Sequence, residues 1–276
     1  MKKAYPIKVS PVVLVSLSVL FVAGCVPLVK YERVVQLSEP MAQAGVFEAE
    51  THNGSITING ATLNMCDVTA TITARAGSEQ EAKEIAEKTK VRLERAGGRL
   101  IARIEKPTLI GNKYVGVAYD VTISQKVNLD LITHNGSVDI TNTTGKVTAI
   151  THNGRVVTQN VTGDHRLTTH NGRVECHNIS GDVRLETHNG SVDVVYSNNA
   201  PPPGRMEIVT HNGGIDFTSP PNFSANVDVS THNGSIHTSL PITIVGEVNK
   251  KELRGTIGSG EGKLRLETHN GSIKIR

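Results

Sequence analysis

The 276-residue chain has no tryptophan, four phenylalanines and five tyrosines, which leaves little aromatic platform on which a sugar chain could stack. Its longest apolar run, Val12 to Ala23, falls short of the ~20 residues a membrane-spanning helix needs. Charge of one sign is also missing. The formal +3 comes from Lys2, Lys3 and Lys8, which precede that run, and the rest of the chain holds 26 basic and 26 acidic residues. A balanced body of this kind argues against nucleic acid or any polyanion as a partner. There are three cysteines, Cys25, Cys66 and Cys176. Cys176 falls on the inward parity of its segment, where a small buried thiol is expected rather than a disulfide.

What the chain has in abundance is one tetrad. Thr-His-Asn-Gly begins at Thr51, Thr133, Thr151, Thr169, Thr187, Thr210, Thr231 and Thr268, and four consecutive copies from Thr133 to Thr187 are spaced 18 residues apart. A fixed period calls for a repeat architecture, in which each unit buries its apolar face by stacking on its neighbours. Each unit contains two short runs, one closed by Asn-Gly and the other by Thr-Gly or Ser-Gly. Both runs alternate: Val147, Ala149, Thr151 before the Asn-Gly corner and Val138, Ile140 or Val174, Cys176 after it share one parity. Period two with one apolar face is a β-strand signature. Lys146, Arg184, Glu186, Asp139 and the tetrad histidines take the other parity and face water.

Two folds accommodate this parity. Asn-Gly between alternating runs is a strong hairpin signal, because both residues tolerate positive φ, so an antiparallel meander is one solution. The other is a β-solenoid with two strands per ~18-residue coil, whose facing sheets lie ~10 Å apart and whose like residues stack at ~4.8 Å. Near-identity of successive units favours the solenoid. The expected fold is therefore all-β, with one inserted short helix and a hairpin near its N-terminal end.

Residues 1–24 read as a signal peptide. They end in Val22-Ala23-Gly24-Cys25, which resembles a bacterial lipoprotein signal and implies cleavage before Cys25 with lipid on its sulfur. Val26, rather than aspartate, follows the cysteine, and in such lipoproteins this suggests the outer membrane. Residues 25–45 lack a sustained period and include Pro27 and Pro40, so they read as a lipidated tether. A single domain then spans 46–276. Its insert, 61–126, interrupts the period with a strand over Cys66–Ala74, a helix from about Glu79, strands around Val91–Arg95, Leu100–Ile104 and Val115–Ile123, and a Gly97-Gly98 turn. Ser78 and Glu81 have capping-box spacing, Ala82, Ile85, Ala86 and Thr89 share one helix face, and Glu84 reaches Lys88. The insert reads as a lid at one end of the stack. A loop from Asn198 to Gly204 lengthens one unit to 23 residues, and Leu240 to Gly262 interrupts the last ones.

Gly255-Thr256-Ile257-Gly258-Ser259-Gly260, followed by Leu264, Leu266, Thr268, Asn270-Gly271 and Ile273, together with the repeated tetrads and the helix-bearing insert, resembles the DUF4097 family. These are bacterial β-strand-repeat proteins, usually exported or anchored, that carry an adhesin label. The resemblance covers Val46 to Arg276 and implies a β-solenoid-like fold and an envelope location. It differs at one place: the second tetrad position varies in the family and is histidine in all eight copies here.

His52, His134, His152, His170, His188, His211, His232 and His269 are thus the feature to explain. In a solenoid they form one outward column. Two nitrogens on one zinc approach to ~3.3 Å, given Zn–N near 2.0–2.1 Å, and rungs ~4.8 Å apart could lean together that far. His134, His152, His170 and His188, on uninterrupted coils, are the metal candidates, with Zn, Cu or Ni the suitable ions. The simpler expectation is a duplicated corner residue whose rings pack on one another, with no cofactor. No carboxylate stands at a fixed offset from every histidine. Asn-Gly is assigned to the bend, with a buried asparagine ladder satisfying corner backbone groups. Glu175 and Asp193 take equivalent outward positions on neighbouring units and form the carboxylate pair a carbohydrate-active enzyme would need, but no catalytic residue is assigned. The reading that results is a lipid-anchored envelope protein, attached to the membrane through Cys25 and acting as a non-catalytic scaffold or adhesin-like surface for an unidentified envelope partner. Metal binding on the histidine column is the alternative, and a carbohydrate-active enzyme is the second.

Overall fold

The computed structural model describes residues 28–41, 43–244 and 250–276. The expected signal peptide and the lipidation site Cys25 lie outside them. Among the described residues no helix is long and apolar enough to cross a membrane.

The uninterrupted units fold as coils of two strands: β8 (Asn128–Asn135) with β9 (Val138–Thr141), β10 (Val147–Asn153) with β11 (Val156–Gln159), β12 (His165–Asn171) with β13 (Val174–Ile179), and β14 (Val183–Asn189) with β15 (Val192–Tyr196). Like strands of successive coils pair in parallel and in register, Thr133 beside Thr151 and Val138 beside Val156. The antiparallel meander is excluded by that pairing, and the solenoid holds. Alternation explains the register, because a slip of one residue would turn every apolar side chain outward. Leu131, Ala149, Leu167 and Leu185 form one inward column and Val138, Val156, Val174 and Val192 another, all buried. Each such valine or leucine stabilises the fold by roughly 1.5–3 kcal/mol relative to an exposed one. Cys66 and Cys176 are free and buried, as a small-thiol reading requires.

The insert extends both sheets. Before and within it lie β1 (Val29–Pro40), β2 (Val46–Asn53), β3 (Ile56–Ala61), β4 (Met65–Ala76), α1 (Glu79–Lys88), β5 (Lys90–Ala96), β6 (Arg99–Glu105) and β7 (Tyr114–Ser124). One sheet begins β1-β4-β7-β3-β9, and the other ends β8-β2-β6-β5. The expected lid is therefore built into the stack as its first rungs rather than laid over it. Ser78 caps α1 by accepting from the Glu81 amide at 3.3 Å, Glu84 pairs with Lys88, and Ala82, Ile85 and Ala86 are buried. Gly97 and Gly98 carry positive φ in the β5–β6 turn, as the sequence predicts.

The tether expected over 25–45 is corrected by β1. Twelve of its residues pair antiparallel with β4, from Val29 beside Ala76 to Pro40 beside Met65, and Tyr31, Val35 and Met41 are buried. Its period is blurred because an edge strand beside α1 is half-buried on both faces. Pro40 is tolerated because it ends the strand at the sheet edge.

Beyond β15 follow β16 (Arg205–Asn212), β17 (Ile215–Thr218), β18 (Ala225–Asn233), β19 (Ile236–Thr238), β20 (Thr243–Ile244), β21 (Glu252–Ile257), β22 (Gly262–Asn270) and β23 (Ile273–Ile275). Here chain order and spatial order part. The sheets run β14-β16-β22-β18-β21-β20 and β15-β17-β23-β19, so the C-terminal coil is threaded between two coils that precede it in sequence. Within the interruption from Leu240 to Gly262, β21 pairs antiparallel with β18.

Candidate functional site

Each part of the tetrad has a separate physical task. The threonine faces inward and is buried, and its hydroxyl donates to the glycine carbonyl of the neighbouring coil: Thr133 to Gly54, Thr151 to Gly136, Thr169 to Gly154, Thr187 to Gly172, all at 2.8–2.9 Å. Thr51 donates instead to the Val117 carbonyl of β7, within the insert. The asparagine amides form a continuous chain, each Nδ2 donating to the Oδ1 of the adjacent rung at 2.7–2.8 Å, from Asn53 through Asn135, Asn153, Asn171, Asn189, Asn212 and Asn270 to Asn233. This ladder is solvent-exposed and bonds to itself, where a buried one serving the backbone was expected. The glycines are required by contact rather than by φ. None of the tetrad glycines lies in the left-handed region, but a Cβ on Gly154 would fall 1.9 Å from the Gly136 carbonyl oxygen. Positive φ belongs to the opposite corner, at Asn142, Asn160 and Asn178 and at Gly145, Gly163 and Gly181.

The eight histidines stand outward and exposed in one unbroken column, ordered His52, His134, His152, His170, His188, His211, His269, His232. Ring centroids are 4.6–4.8 Å apart and ring planes lie within 6° of parallel. The four candidates His134, His152, His170 and His188 are adjacent, as expected. Their ring lone pairs lie in the ring planes, so parallel stacked rings direct them side by side, and two can share an ion only if the rings rotate. Among the described residues no three His, Cys, Asp or Glu side chains converge on a point that could hold a metal.

Beside the column runs a groove of about 900 Å³, extending over all eight rungs and floored by the tetrad threonines. Its second wall is the residue before each threonine, which shares the outward parity of the histidine. In spatial order this wall reads Glu50, Ile132, Ile150, Thr168, Glu186, Val209, Glu267, Ser230, with Glu252 of β21 paired beside Ser230. Ile132 and Ile150 are exposed, at 39% and 38%. After Glu50 at the insert end, the wall therefore has an apolar stretch at Ile132 and Ile150 and a carboxylate-bearing stretch at the far end.

The proposed carboxylate pair is ion-paired. Glu175 and Asp193 are neighbours on β13 and β15, and Arg173 reaches both, Nε to Glu175 at 3.2 Å and Nη2 to Asp193 at 3.7 Å. A glycosidase needs a carboxyl free to reach the leaving group, and here both carboxylates are engaged by Arg173. Burial pushes the thiols of Cys66 and Cys176 up to about 12, which keeps them protonated and unreactive at neutral pH.

Sequence reasoning passed over His165. It occupies the inward column between Val147 and Val183, is 2% exposed, and neither ring nitrogen is hydrogen-bonded. Desolvation lowers its pKa to about 4, opposed in part by the nearby Asp164 carboxylate. Its parity with Leu167 and Thr169 was the available signal.

Fold and site together define a two-stranded β-solenoid whose repeats are locked by threonine and asparagine ladders and display one imidazole per coil. The Toastrack DUF4097 family model matches residues 35–276, and the chain belongs to that family. The match starts inside β1, in keeping with that strand being part of the body. Among solved structures, a "putative cell adhesion protein" from Clostridium sporogenes is 12% identical over 90% of this chain and 99% of its own, with a TM-score of 0.37. A "putative adhesin" from Bacteroides fragilis is 13% identical over 88% and 97%, with a TM-score of 0.42. Among curated proteins there is no match.

Proposed function

We propose that the protein is a lipid-anchored component of the bacterial envelope, held in the outer membrane through Cys25, whose rigid stack acts as a non-catalytic scaffold or adhesin-like binding surface. The observation that carries this reading is how the repeat spends its chemistry. The buried hydroxyl and the amide of each tetrad are engaged with the next coil, which favours stiffness over reactivity, and the outward column and groove remain for contact. The lipobox-like Val22 to Cys25 supports the anchor. Cells expressing the native chain should hold it in the outer-membrane fraction, and Cys25→Ser should move it to the soluble fraction. Identical partitioning of the two would sink the anchor.

A second reading is metal binding on the histidine column, favoured by eight exposed imidazoles in one unbroken file. Isothermal titration of the body without residues 1–25 with Zn, Cu and Ni tests it, beside a variant with His134, His152, His170 and His188 changed to serine. Tight heats lost in the folded variant support the reading, and only weak heats from both leave the rings as structural packing.

A further inference from the structure

Threading of the C-terminal coil changes which histidines keep company with carboxylates. In the sequence Glu186 and Glu267 stand two residues before His188 and His269 and are 81 residues apart. In the stack they are two rungs apart, separated only by the β16 rung with Val209 and His211. Ser230 of β18 lies one rung past Glu267, and Glu252 of β21 pairs beside it, two rungs past Glu267. The far half of the groove is therefore a strip in which His188, His211, His269 and His232 face Glu186, Glu267 and Glu252. The near half offers His134, His152 and His170 only Ile132, Ile150 and Thr168 across the groove, with the lone carboxylate Glu50 at its end.

We infer that the far half, not the run of uninterrupted coils, is where the column takes a divalent transition-metal ion. This inference rests on the metal reading above and assigns it a place. Imidazole with carboxylate is a donor set suited to Zn²⁺, and carboxylate offsets the ion's charge where neutral imidazole alone cannot. Within one strand the glutamate and the histidine two residues later project to the same face, and the next rung supplies a second imidazole 4.8 Å away. Rotation of exposed rings out of their stack is then what closes the shell, and exposed side chains exchange rotamers readily. Glu186 enters the set with no competing ion pair among the described residues. Glu267 must leave Arg265, 2.7 Å away, and an ion pair exposed to solvent is readily exchanged.

The test is titration of the full chain body with ZnCl₂ alone, comparing wild type with three variants whose folding is checked by circular dichroism. Changing His188, His211, His232 and His269 to serine should weaken binding at least tenfold. Changing His52, His134, His152 and His170 to serine should alter it less than threefold. Glu186→Gln with Glu267→Gln, which leaves every ladder hydrogen bond in place, should weaken binding three- to tenfold. If the near-half variant loses the site and the far-half variant keeps it, the placement is overturned while the metal reading stands. If wild type shows no saturable heat, both are overturned.

Discussion

One buried imidazole makes the stability of the stack depend on pH. His165 is neutral in the folded chain because desolvation holds its pKa at about 4, whereas the unfolded chain protonates it near 6.5. The unfolded state thus binds the proton more readily, and stability falls as pH drops through 6.5 toward 4. Between pH 7 and pH 4 this group should cost about 3 kcal/mol. His165→Leu should remove that share, seen as a smaller pH effect on urea midpoints than in wild type, and should raise stability at pH 7 by giving the Val147 and Val183 column an apolar rung. A variant with the unchanged pH slope would mean that the ring is solvated. Glycine supplies a second test at this scale. Gly154→Ala places a methyl against the Gly136 carbonyl and should destabilise by roughly 1–3 kcal/mol in chemical denaturation, since a packed rung must shift. Gly77→Ala, whose Cβ would meet nothing nearer than 3.8 Å, should change little. The need for glycine was legible as Asn-Gly, but its cause was not. A sequence signals turn propensity, whereas close approach of two backbones exists only once coils are stacked.

A coil is the unit of both construction and legibility. Alternation, the 18-residue period and the two corners specified strands β8 to β15 because the inward column there is almost wholly apolar and nearly every member stacks on a residue of similar kind. The strand β1 escaped notice for the converse reason: half-buried on both faces beside α1, with Arg33 donating to the Ala86 and Thr89 carbonyls, it has no clean period to read. Since each uninterrupted coil meets only its neighbours, stability is close to a sum over rungs. Removing residues 147–164, one full period, should therefore leave a folded chain in which β12 packs on β8 and Asn171 donates to Asn135. A thermal melt should show a cooperative transition with a modestly lowered midpoint. Removing only residues 147–155 would put unlike strands in register and should abolish the transition. Retained cooperativity in the half-period deletion would mean that the ladders do not set register. At the same scale Thr151→Val keeps shape but leaves the Gly136 carbonyl without its donor, at a cost of about 1–3 kcal/mol.

At the scale of the whole molecule the sequence order misleads, because the repeats are similar enough to stack in more than one order. Arg184 to Ser191 and Arg265 to Ser272 are the same eight residues, RLETHNGS, so no local signal tells which coil neighbours which. The order is decided by what lies between: the β20–β21 excursion brings the chain back so that β22 enters beside β16, leaving β18 outside it. This makes the last fifteen residues a keystone. Among the described residues β18 pairs with a strand of the body only through β22, and β19 only through β23, with Asn270 linking Asn212 to Asn233 and His269 stacked between His211 and His232. Deleting residues 262–276 should therefore release far more than one coil. Limited proteolysis of that truncated chain should cut within 219–244 and 250–261 while 29–41 and 43–218 stay protected, and the full chain should resist cleavage in all of these segments. A synthetic peptide of residues 262–276 added to the truncated chain should restore protection, because its slot is bounded by surfaces that the chain already carries. Protection of 225–257 without the peptide would show that β18 can dock directly on β16, and the C-terminal coil would then be one rung among equals.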